Sequence, residues 1–185
     1  MKCIKCWKTA VFEGLCQSHF SEMAENRAKQ AIREIGWLNP NEKILVVNDG
    51  AAAGVAAEYL LKKVIGGLPV KITVKKKISA AASAKGFDRF DRVIMPYSID
   101  DKIEMFLRQM FEGKKLKKSK KELWLVEHLT DNEIEQLLKL KKLKFKQKKK
   151  SELGLLLASL EQRLPRTRFA LARASELFRK ILENA

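Results

Sequence analysis

Four potential metal ligands lie close together near the start of the chain. Cys3 and Cys6 form one pair, Cys16 and His19 form a second pair, and two residues separate the members of each pair. A spacer of two residues lets both side chains of a tight turn point at one ion, and zinc prefers four nitrogen or sulfur ligands in a tetrahedron. Three free cysteines beside an unrelated histidine would not explain this even spacing. We therefore predict a closed structural zinc site that stabilises a module too small to fold without a metal.

The second candidate site is a glycine-containing turn that follows a short apolar run. Residues 44–47 (Ile-Leu-Val-Val) predict a strand buried on both faces, and an alanine-rich helix is predicted from about Ala53. A strand, a turn and a helix N-terminus form the frame of a phosphate loop, because backbone N–H groups and the helix dipole favour an anion. The turn consists of Asp49, Gly50, Ala51, Ala52, Ala53 and Gly54. It provides no hydroxyl or ammonium group and its carboxylate would repel a phosphate, so we predict a degenerate phosphate loop.

The charge balance of the chain indicates a polyanionic partner. Lys and Arg outnumber Asp and Glu by 38 to 22, which gives a net charge of +16. A balance of this kind is typical of proteins that bind nucleic acid. A lysine-rich surface of the type found in hyperthermophiles would also be enriched in glutamate and would have a smaller net charge. We therefore predict that the partner is a nucleic acid.

Two lysine runs, at residues 114–121 and 139–150, and a group of arginines around Pro165 are the candidate RNA contacts. Lysine runs contact phosphates without distinguishing sequence, and arginine makes bidentate phosphate contacts. Mobile solvated loops and an exposed helix face remain alternative explanations for these charges. The residues predicted to bind RNA are Lys114, Lys115, Lys117, Lys118, Lys120, Lys121, Lys148, Lys149, Lys150, Arg163, Arg166, Arg168 and Arg173.

The remaining pattern predicts the elements that position these sites. Apolar runs that alternate with helical segments are typical of parallel strands joined by right-handed crossovers, with helices on both faces of the sheet. Ser98 with Asp101, and Thr130 with Glu133, have the spacing of a capping box at a helix start. Further strands are predicted at residues 69–74, 91–96 and 123–126, and helices at 21–35, 78–85, from 99, from 131, at 153–164 and at 167–182.

Composition also bounds the class and organisation of the protein. No apolar run approaches the ~20 residues of a membrane span, and the first residues lack the apolar core of a signal peptide. Because the cysteines do not resemble a disulfide framework, we expect a reduced, cytoplasmic protein with no membrane partner.

We expect a zinc-binding module at residues 1–20 and an α/β domain with basic C-terminal helices at residues 21–185. Trp7, Phe12 and Phe20 are predicted to form the small core of the module.

Taken together, these features resemble the tRNA 2-thiolation branch of the PP-loop (N-type ATP pyrophosphatase) superfamily. The zinc module comes first, and residues 49–54 stand where the family loop has Ser-Gly-Gly-x-Asp-Ser. Residues 97–101, Tyr-Ser-Ile-Asp-Asp, correspond to the family segment His-Asn-Leu-Asp-Asp. Residues 128–134 are similar to the start of a later family helix, and residues 164–169 to the Pro-Gly-Thr-Lys-Phe motif. The resemblance implies a PP-loop (adenine nucleotide alpha hydrolase-like) parallel sheet flanked by helices.

The differences from the family imply a pseudoenzyme. Only Gly50 remains of the loop motif, and the chain has three cysteines, all in the zinc module. Active members use further cysteines for sulfur transfer or an iron–sulfur cluster, and they carry a C-terminal zinc ribbon that is absent here. The chain most resembles the inactive partner subunit of the cytosolic tRNA thiolation complex. The resemblance therefore implies a non-catalytic subunit that binds tRNA and docks on an active PP-loop homologue.

Two other functions remain open from the sequence. One is a stand-alone zinc-containing RNA-binding or ribosome-associated protein with no role in thiolation. The other is an ATP-using enzyme with a rebuilt loop, which is disfavoured because the turn offers no hydroxyl or lysine to Mg²⁺ or phosphate. The proteins that co-purify from native lysate would separate the first of these from a thiolation subunit.

Overall fold

The computed structural model describes residues 1–36, 38–76, 87, 89–112, 121–149 and 151–183. In this part of the chain a four-stranded sheet has the strand order β2-β1-β3-β4, and every neighbouring pair is parallel. Two neighbouring parallel strands need a connection that crosses one face of the sheet. Such connections usually contain a helix, so helices cover the sheet. The predicted α/β class with a central parallel sheet is therefore confirmed. The strands are β1 (Lys43–Val47), β2 (Lys71–Lys75), β3 (Arg92–Ile94) and β4 (Glu122–Leu123).

Six helices lie within the described ranges, and none of them is both long and apolar enough to cross a membrane. The helices predicted at these positions are confirmed, whereas the one predicted at residues 78–85 lies outside the described residues. The first helix begins four residues earlier than predicted, at Gln17, because Cys16 acts as its N-cap. The helices are α1 (Gln17–Ile35), α2 (Ala52–Ile65), α3 (Ile99–Glu112), α4 (Asp131–Leu140), α5 (Glu152–Arg163) and α6 (Thr167–Glu183).

β1 is held at the centre of the sheet because its side chains pack on both faces. Ile44 and Val46 belong to the main core, which α1 and α2 cover. Leu45 and Val47 alternate with them and pack with Phe90 in a second core on the opposite face. Each fully buried aliphatic side chain stabilises the fold by about 1.5–3 kcal/mol. The predicted burial of this strand on both faces is confirmed, and its carboxyl end is thereby fixed at the middle of the sheet edge.

Three helices begin at the carboxyl edge of the sheet, since α2 follows β1, α3 follows β3 and α4 follows β4. At α3 the N–H of Asp101 donates to Ser98 Oγ (3.2 Å) and the N–H of Ser98 donates to the Asp101 carboxylate (3.0 Å). Thr130 and Glu133 cap α4 in the same reciprocal way. Both predicted capping boxes are confirmed. α2 differs from its two neighbours, because its N-cap is Ala51 and makes no side-chain cap.

β4 is shorter than the strand predicted at residues 123–126. Of this range only Leu123 pairs with β3, and the chain then turns. The N–H of Glu127 donates to the carbonyl of Trp124 (3.1 Å), so a turn uses backbone groups that a strand ladder would need. The apolar run is nevertheless buried. Its apolar composition therefore reflects burial and does not require strand geometry.

Candidate metal centre and carboxyl edge of the sheet

The four predicted metal ligands converge at the start of α1, where their ligand atoms all lie within 4.8 Å of one another. His19 Nδ1 lies 3.4 Å from Cys3 Sγ and 3.5 Å from Cys16 Sγ. Cys6 Sγ lies 3.5 Å from Cys16 Sγ, which is too far for a disulfide. A tetrahedral ion bound to sulfur at about 2.3 Å and nitrogen at about 2.0 Å would hold its ligands about 3.5–3.8 Å apart. The cluster therefore fits a metal ion and could hold one.

Two short segments position these ligands. In the first, the N–H of Trp7 donates to Cys3 O (3.1 Å) and the N–H of Lys5 donates to Cys3 Sγ (3.4 Å), which folds the chain around the sulfur. In the second, Cys16 is the N-cap of α1 and His19 lies in its first turn. The boundary predicted after residue 20 consequently falls inside α1, and the division into a module and a domain stays a prediction.

The N-terminal segment shares the main core of the protein. Cys3, Cys16 and Phe20 belong to the same buried cluster as the side chains of β1 and α2. The rings of Phe12 and Phe20 lie 5.1 Å apart, as expected for the predicted small core. The prediction for Trp7 is wrong, because its side chain is 79% exposed on the outer side of the turn.

The thiols of the cluster have unequal acidities. Burial alone would raise the pKa of Cys3, but hydrogen bonds from the backbone at Cys16 and Lys5 and from His19 outweigh it and lower that pKa to about 5. A hydrogen bond from the backbone at Lys8 acts to lower the pKa of Cys6, but burial and the neighbouring thiols raise it overall. The Cys3 thiol therefore ionises readily, whereas a negative charge on Cys6 would be subject to repulsion from the neighbouring sulfurs. A bound cation would offset that repulsion.

In the turn after β1, nearby side chains of the same turn accept hydrogen bonds from two of the backbone donors. The N–H of Gly50 donates to Asn48 Oδ1 (2.9 Å), and the N–H of Ala51 donates to Asp49 Oδ1 (2.9 Å). Gly50 has a φ of +88°, which favours glycine, and a Cβ at Gly54 would lie 3.1 Å from the backbone Cα of Asn48. Both glycines are thus explained by backbone geometry alone. A strand, a turn and a helix start follow one another as predicted, and side-chain oxygens already accept from the N–H groups of Gly50 and Ala51.

The second lysine run passes alongside this turn. The N–H of Lys146 donates to Gly50 O (2.8 Å) in a parallel bridge beside Ala51, and the Lys146 side chain packs within 4 Å of the position of a Gly50 Cβ. Two residues later, the ammonium of Lys148 pairs with the carboxylate of Asp101. Burial would lower the pKa of Lys148, but the carboxylate of Asp101 raises it overall. The chain itself therefore supplies the cation at this edge of the sheet.

Three carboxylates meet where α3 and α4 begin. Asp100 Oδ2 accepts a hydrogen bond from the N–H of Asp131 (2.7 Å). Asp100 Oδ1 lies 2.6 Å from Nε of the buried Arg168, and the contact is an attraction of charges because its geometry is unfavourable for a hydrogen bond. Burial, followed by the charges of Asp100 and Asp101, raises the pKa of Asp131 to about 6. The cluster therefore ties α3, α4 and α6 together, with Arg168 and Lys148 as internal countercharges.

A cavity of about 520 Å³, here called the basic groove, lies between α1, the start of α3, the turn after β4 and α6. Arg166 and Arg173 line it with exposed side chains. The guanidinium of Arg27 lies 5.5 Å from the ring centroid of Phe169 and donates to His128 O (3.0 Å). A planar cation packed near an aromatic ring is a surface suited to a nucleobase.

The acidic side chains of the basic groove already have partners within the chain. Lys102 Nζ lies 2.6 Å from Glu176 Oε1 and 3.3 Å from Glu127 Oε2, and His128 Nε2 lies 3.1 Å from Glu34 Oε2. Glu34, Glu127 and His128 are close enough together to consider a second metal ion. The ammonium of Lys102 already pairs with Glu127, however, and guanidinium groups line the cavity, so an anion fits the groove better than a cation.

The predicted RNA contacts fall into different environments. Arg163 and Lys149 are exposed, Lys121 is half-buried beside β4, and Arg168 is buried against Asp100. The guanidinium of Arg168 therefore acts inside the fold, as a countercharge for Asp100. Six predicted contacts lie outside the described residues: Lys114, Lys115, Lys117, Lys118, Lys120 and Lys150.

Sequence reasoning missed three residues that shape these sites. Lys146 lies in the second lysine run, where nothing distinguishes it from the other lysines. No local spacing predicts that it packs against Gly50. Arg27 joins the groove through His128, which lies 101 residues further along the chain. Phe169 did have a signal, because an exposed aromatic between arginines is a common feature of RNA-binding surfaces.

Comparisons with known proteins agree with this architecture. No protein-family model matches the chain, and no curated protein matches its sequence. Among solved structures, the chain is similar to the U34-tRNA thiolase NcsA from Methanococcus maripaludis with its [4Fe-4S] cluster. The TM-score is 0.76 at 18% identity, and the match covers all of this chain and 88% of that chain. The chain therefore shares the α/β fold of that thiolase, and a Cys/His cluster near its N-terminus could hold a metal.

Proposed function

We propose that this chain is a non-catalytic, tRNA-binding subunit of a wobble-uridine 2-thiolation complex that docks on an active PP-loop homologue. The turn after β1 carries the proposal. In a fold shared with a tRNA thiolase, the N–H groups of Gly50 and Ala51 donate to Asn48 and Asp49. A nucleotide phosphate would have to displace both side-chain oxygens and approach the charge of Asp49, so the loop does not favour ATP.

The cysteines support a role without catalysis. Transfer of sulfur to a base needs a thiol or a cluster that is free to react, whereas the three cysteines of the chain all belong to the Cys/His cluster. The turn at residues 49–54 also lacks a hydroxyl or ammonium group to activate the base through ATP. Alanine and lysine side chains cannot take over the role of a sulfur nucleophile. The chain would therefore bind substrate for an active partner.

We assign the metal as zinc with a structural role. Cys3, Cys6, Cys16 and His19 would hold it, and four protein ligands leave no position open to substrate. Bound zinc supplies charge that stabilises neighbouring thiolates. The ligands on both sides of the first turn then fix that turn to the start of α1.

The basic groove supports the tRNA part of the proposal. Arg166 and Arg173 present guanidinium groups for phosphates, and Arg27 with Phe169 provides a flat surface for a base. The net charge of +16 adds a long-range attraction to any RNA. Because many phosphates would be neutralised, we expect the affinity for tRNA to fall steeply as salt is added.

The groove is tested with the double variant Arg166→Ala/Arg173→Ala and equilibrium binding of labelled tRNA. We expect the affinity to fall about tenfold or more, since charge-assisted contacts contribute about 1 kcal/mol or more each. Lys62→Ala/Lys63→Ala is the matched control, because it removes two charges from the end of α2, outside the groove. Equal losses in both double variants, or salt-insensitive binding, would contradict an RNA site in the groove.

The docking part is tested by purifying the tagged chain from native lysate. An active PP-loop homologue in the same complex is the expected result. Ribosomal proteins without such a homologue would instead favour a stand-alone, ribosome-associated RNA-binding protein. Clear Mg²⁺-dependent binding of labelled ATP would overturn the assignment as a non-catalytic subunit.

A further inference from the structure

Trp7 occupies a backbone conformation that a bulky residue rarely adopts. Its φ is +63°, in the left-handed region where a Cβ crowds the following carbonyl and where glycine is favoured. The turn requires this conformation, because the N–H of Trp7 donates to Cys3 O while the N–H of Cys3 donates to Lys8 O (2.7 Å). A glycine at position 7 would therefore serve the turn better than a tryptophan.

Packing does not compensate for this conformation. The Trp7 side chain is 79% exposed, whereas Phe12 and Phe20 provide the aromatic packing beneath the metal centre. An unfavourable backbone conformation that brings no burial points to a role for the side chain outside the fold.

The surroundings of the indole are cationic. Lys2, Lys5 and Lys8 are all exposed, and residues 1–11 contain no acidic residue. The ammonium of Lys2 lies 6.0 Å from the centroid of the Trp7 ring, and Ile4 beside it is also 79% exposed. An exposed aromatic face with one ammonium group near it, on a segment whose only charged side chains are lysines, matches an unpaired base together with its flanking phosphates.

We propose that Trp7 stacks on an unpaired nucleobase of bound RNA, while Lys2, Lys5 and Lys8 contact the adjacent phosphates. This inference rests on the RNA binding proposed above, but it places a contact outside the basic groove, on residues that do not line that cavity. A docked protein is the competing occupant. It is disfavoured because three lysines among the first eight residues would have to be desolvated or paired around a small apolar surface.

The test uses the full-length, metal-loaded protein and the variants Trp7→Gly, Trp7→Asn and Trp7→Phe. Gly and Asn tolerate the left-handed conformation, so we expect both variants to keep the metal and to unfold at the same or a higher temperature than the unmodified protein. We expect their affinity for tRNA and for single-stranded RNA to fall about tenfold, because a stacked base is lost. Trp7→Phe should retain most of the affinity, and binding of fully paired RNA should not change.

The outcomes separate this contact from the proposed function. If Trp7→Gly and Trp7→Asn bind tRNA like the unmodified protein while Arg166→Ala/Arg173→Ala does not, the stacking contact is wrong and the groove stands. If a co-purifying protein is lost from these variants and their RNA affinity is unchanged, the surface binds a protein instead. If the unmodified protein binds no tRNA, both proposals fail.

Discussion

The candidate metal centre and the turn after β1 both lie at the start of a helix. They differ in whether their polar groups already have partners within the chain. At the start of α1, three sulfurs and one imidazole nitrogen converge within 4.8 Å, and thiolates this close would repel one another unless a cation were bound. At the start of α2, Asn48 and Asp49 already accept from two backbone donors of the turn, the N–H groups of Gly50 and Ala51. The comparison shows that a binding site is recognised by groups left unsatisfied within the chain, and not by its backbone frame alone.

The same difference extends to the charges around each site. The carboxylates of Asp100 and Asp101 have Arg168 and Lys148 as partners from elsewhere in the chain. No described side chain provides a comparable cation to the thiols, whose nearest contacts are each other and His19. A metal should therefore matter greatly at one site and little at the other.

Loss of the metal is the largest expected effect. Chelation of the metal, or Cys6→Ser, should lower the free energy of unfolding by on the order of 5 kcal/mol, because the ligands tie the N-terminal turn to α1 and the main core. Elemental analysis should find about one zinc per chain in the unmodified protein. Ser18→Ala, an exposed position beside a ligand, is the control. The contrast between the two sites would be wrong if the metal-free protein unfolded at an unchanged temperature, or if Mg²⁺ stabilised it as strongly as zinc does.

The acidic cluster provides a pH-dependent test. The pKa of Asp131 is raised from 3.8 to about 6, so between those values the folded state binds a proton that the unfolded state has lost. This group therefore contributes stability at low pH that is lost as the pH rises through 6, by roughly 3 kcal/mol. In Asp131→Asn, the free energy of unfolding measured with denaturant should not show this loss between pH 4 and 7.

Glu135→Gln, on the same helix but outside the cluster, serves as the control for this profile. Both variants leave the metal ligands unchanged, so the difference between the profiles isolates the carboxylate. If the free energy of unfolding changed with pH in the same way in the unmodified protein and in Asp131→Asn, the internal countercharges would fully compensate the charge of the Asp131 carboxylate.

The smallest expected effect concerns the glycine that lets α2 approach the turn. In Gly54→Ala the new Cβ would lie 3.0 Å from Asn48 Oδ1 and 3.1 Å from Asn48 Cα. We expect a destabilisation of about 1 kcal/mol, because crowding costs about 1–3 kcal/mol and better helix propensity offsets up to about 1 kcal/mol. A Cβ at Gly67 meets nothing within 4 Å, so Gly67→Ala is the matched control. Equal unfolding free energies in the two variants would show that the turn is not constrained as described.

Local patterns predicted the parts of the fold that depend on local interactions. The apolar run of β1, the capping box at Thr130 and the paired ligands around Cys16 each need only residues a few positions apart. The extent of β4 could not be predicted in this way, because a buried apolar turn and a buried strand have similar composition. The exposure of Trp7 was missed for a related reason, since an aromatic residue in a small module is usually part of its core.

The sequence by itself determined the parallel α/β class, the four side chains that could hold a metal, and the lack of hydroxyl and ammonium groups in the turn at residues 49–54. These properties follow from periodicity, spacing and residue chemistry, which need no knowledge of distant contacts. Only the tertiary structure decided that Lys146 packs on Gly50, that Arg168 is buried against Asp100, and that Arg27 joins the groove. The reason is physical: these contacts join segments that are far apart in sequence, so they exist only after the sheet and its helices have brought those segments together.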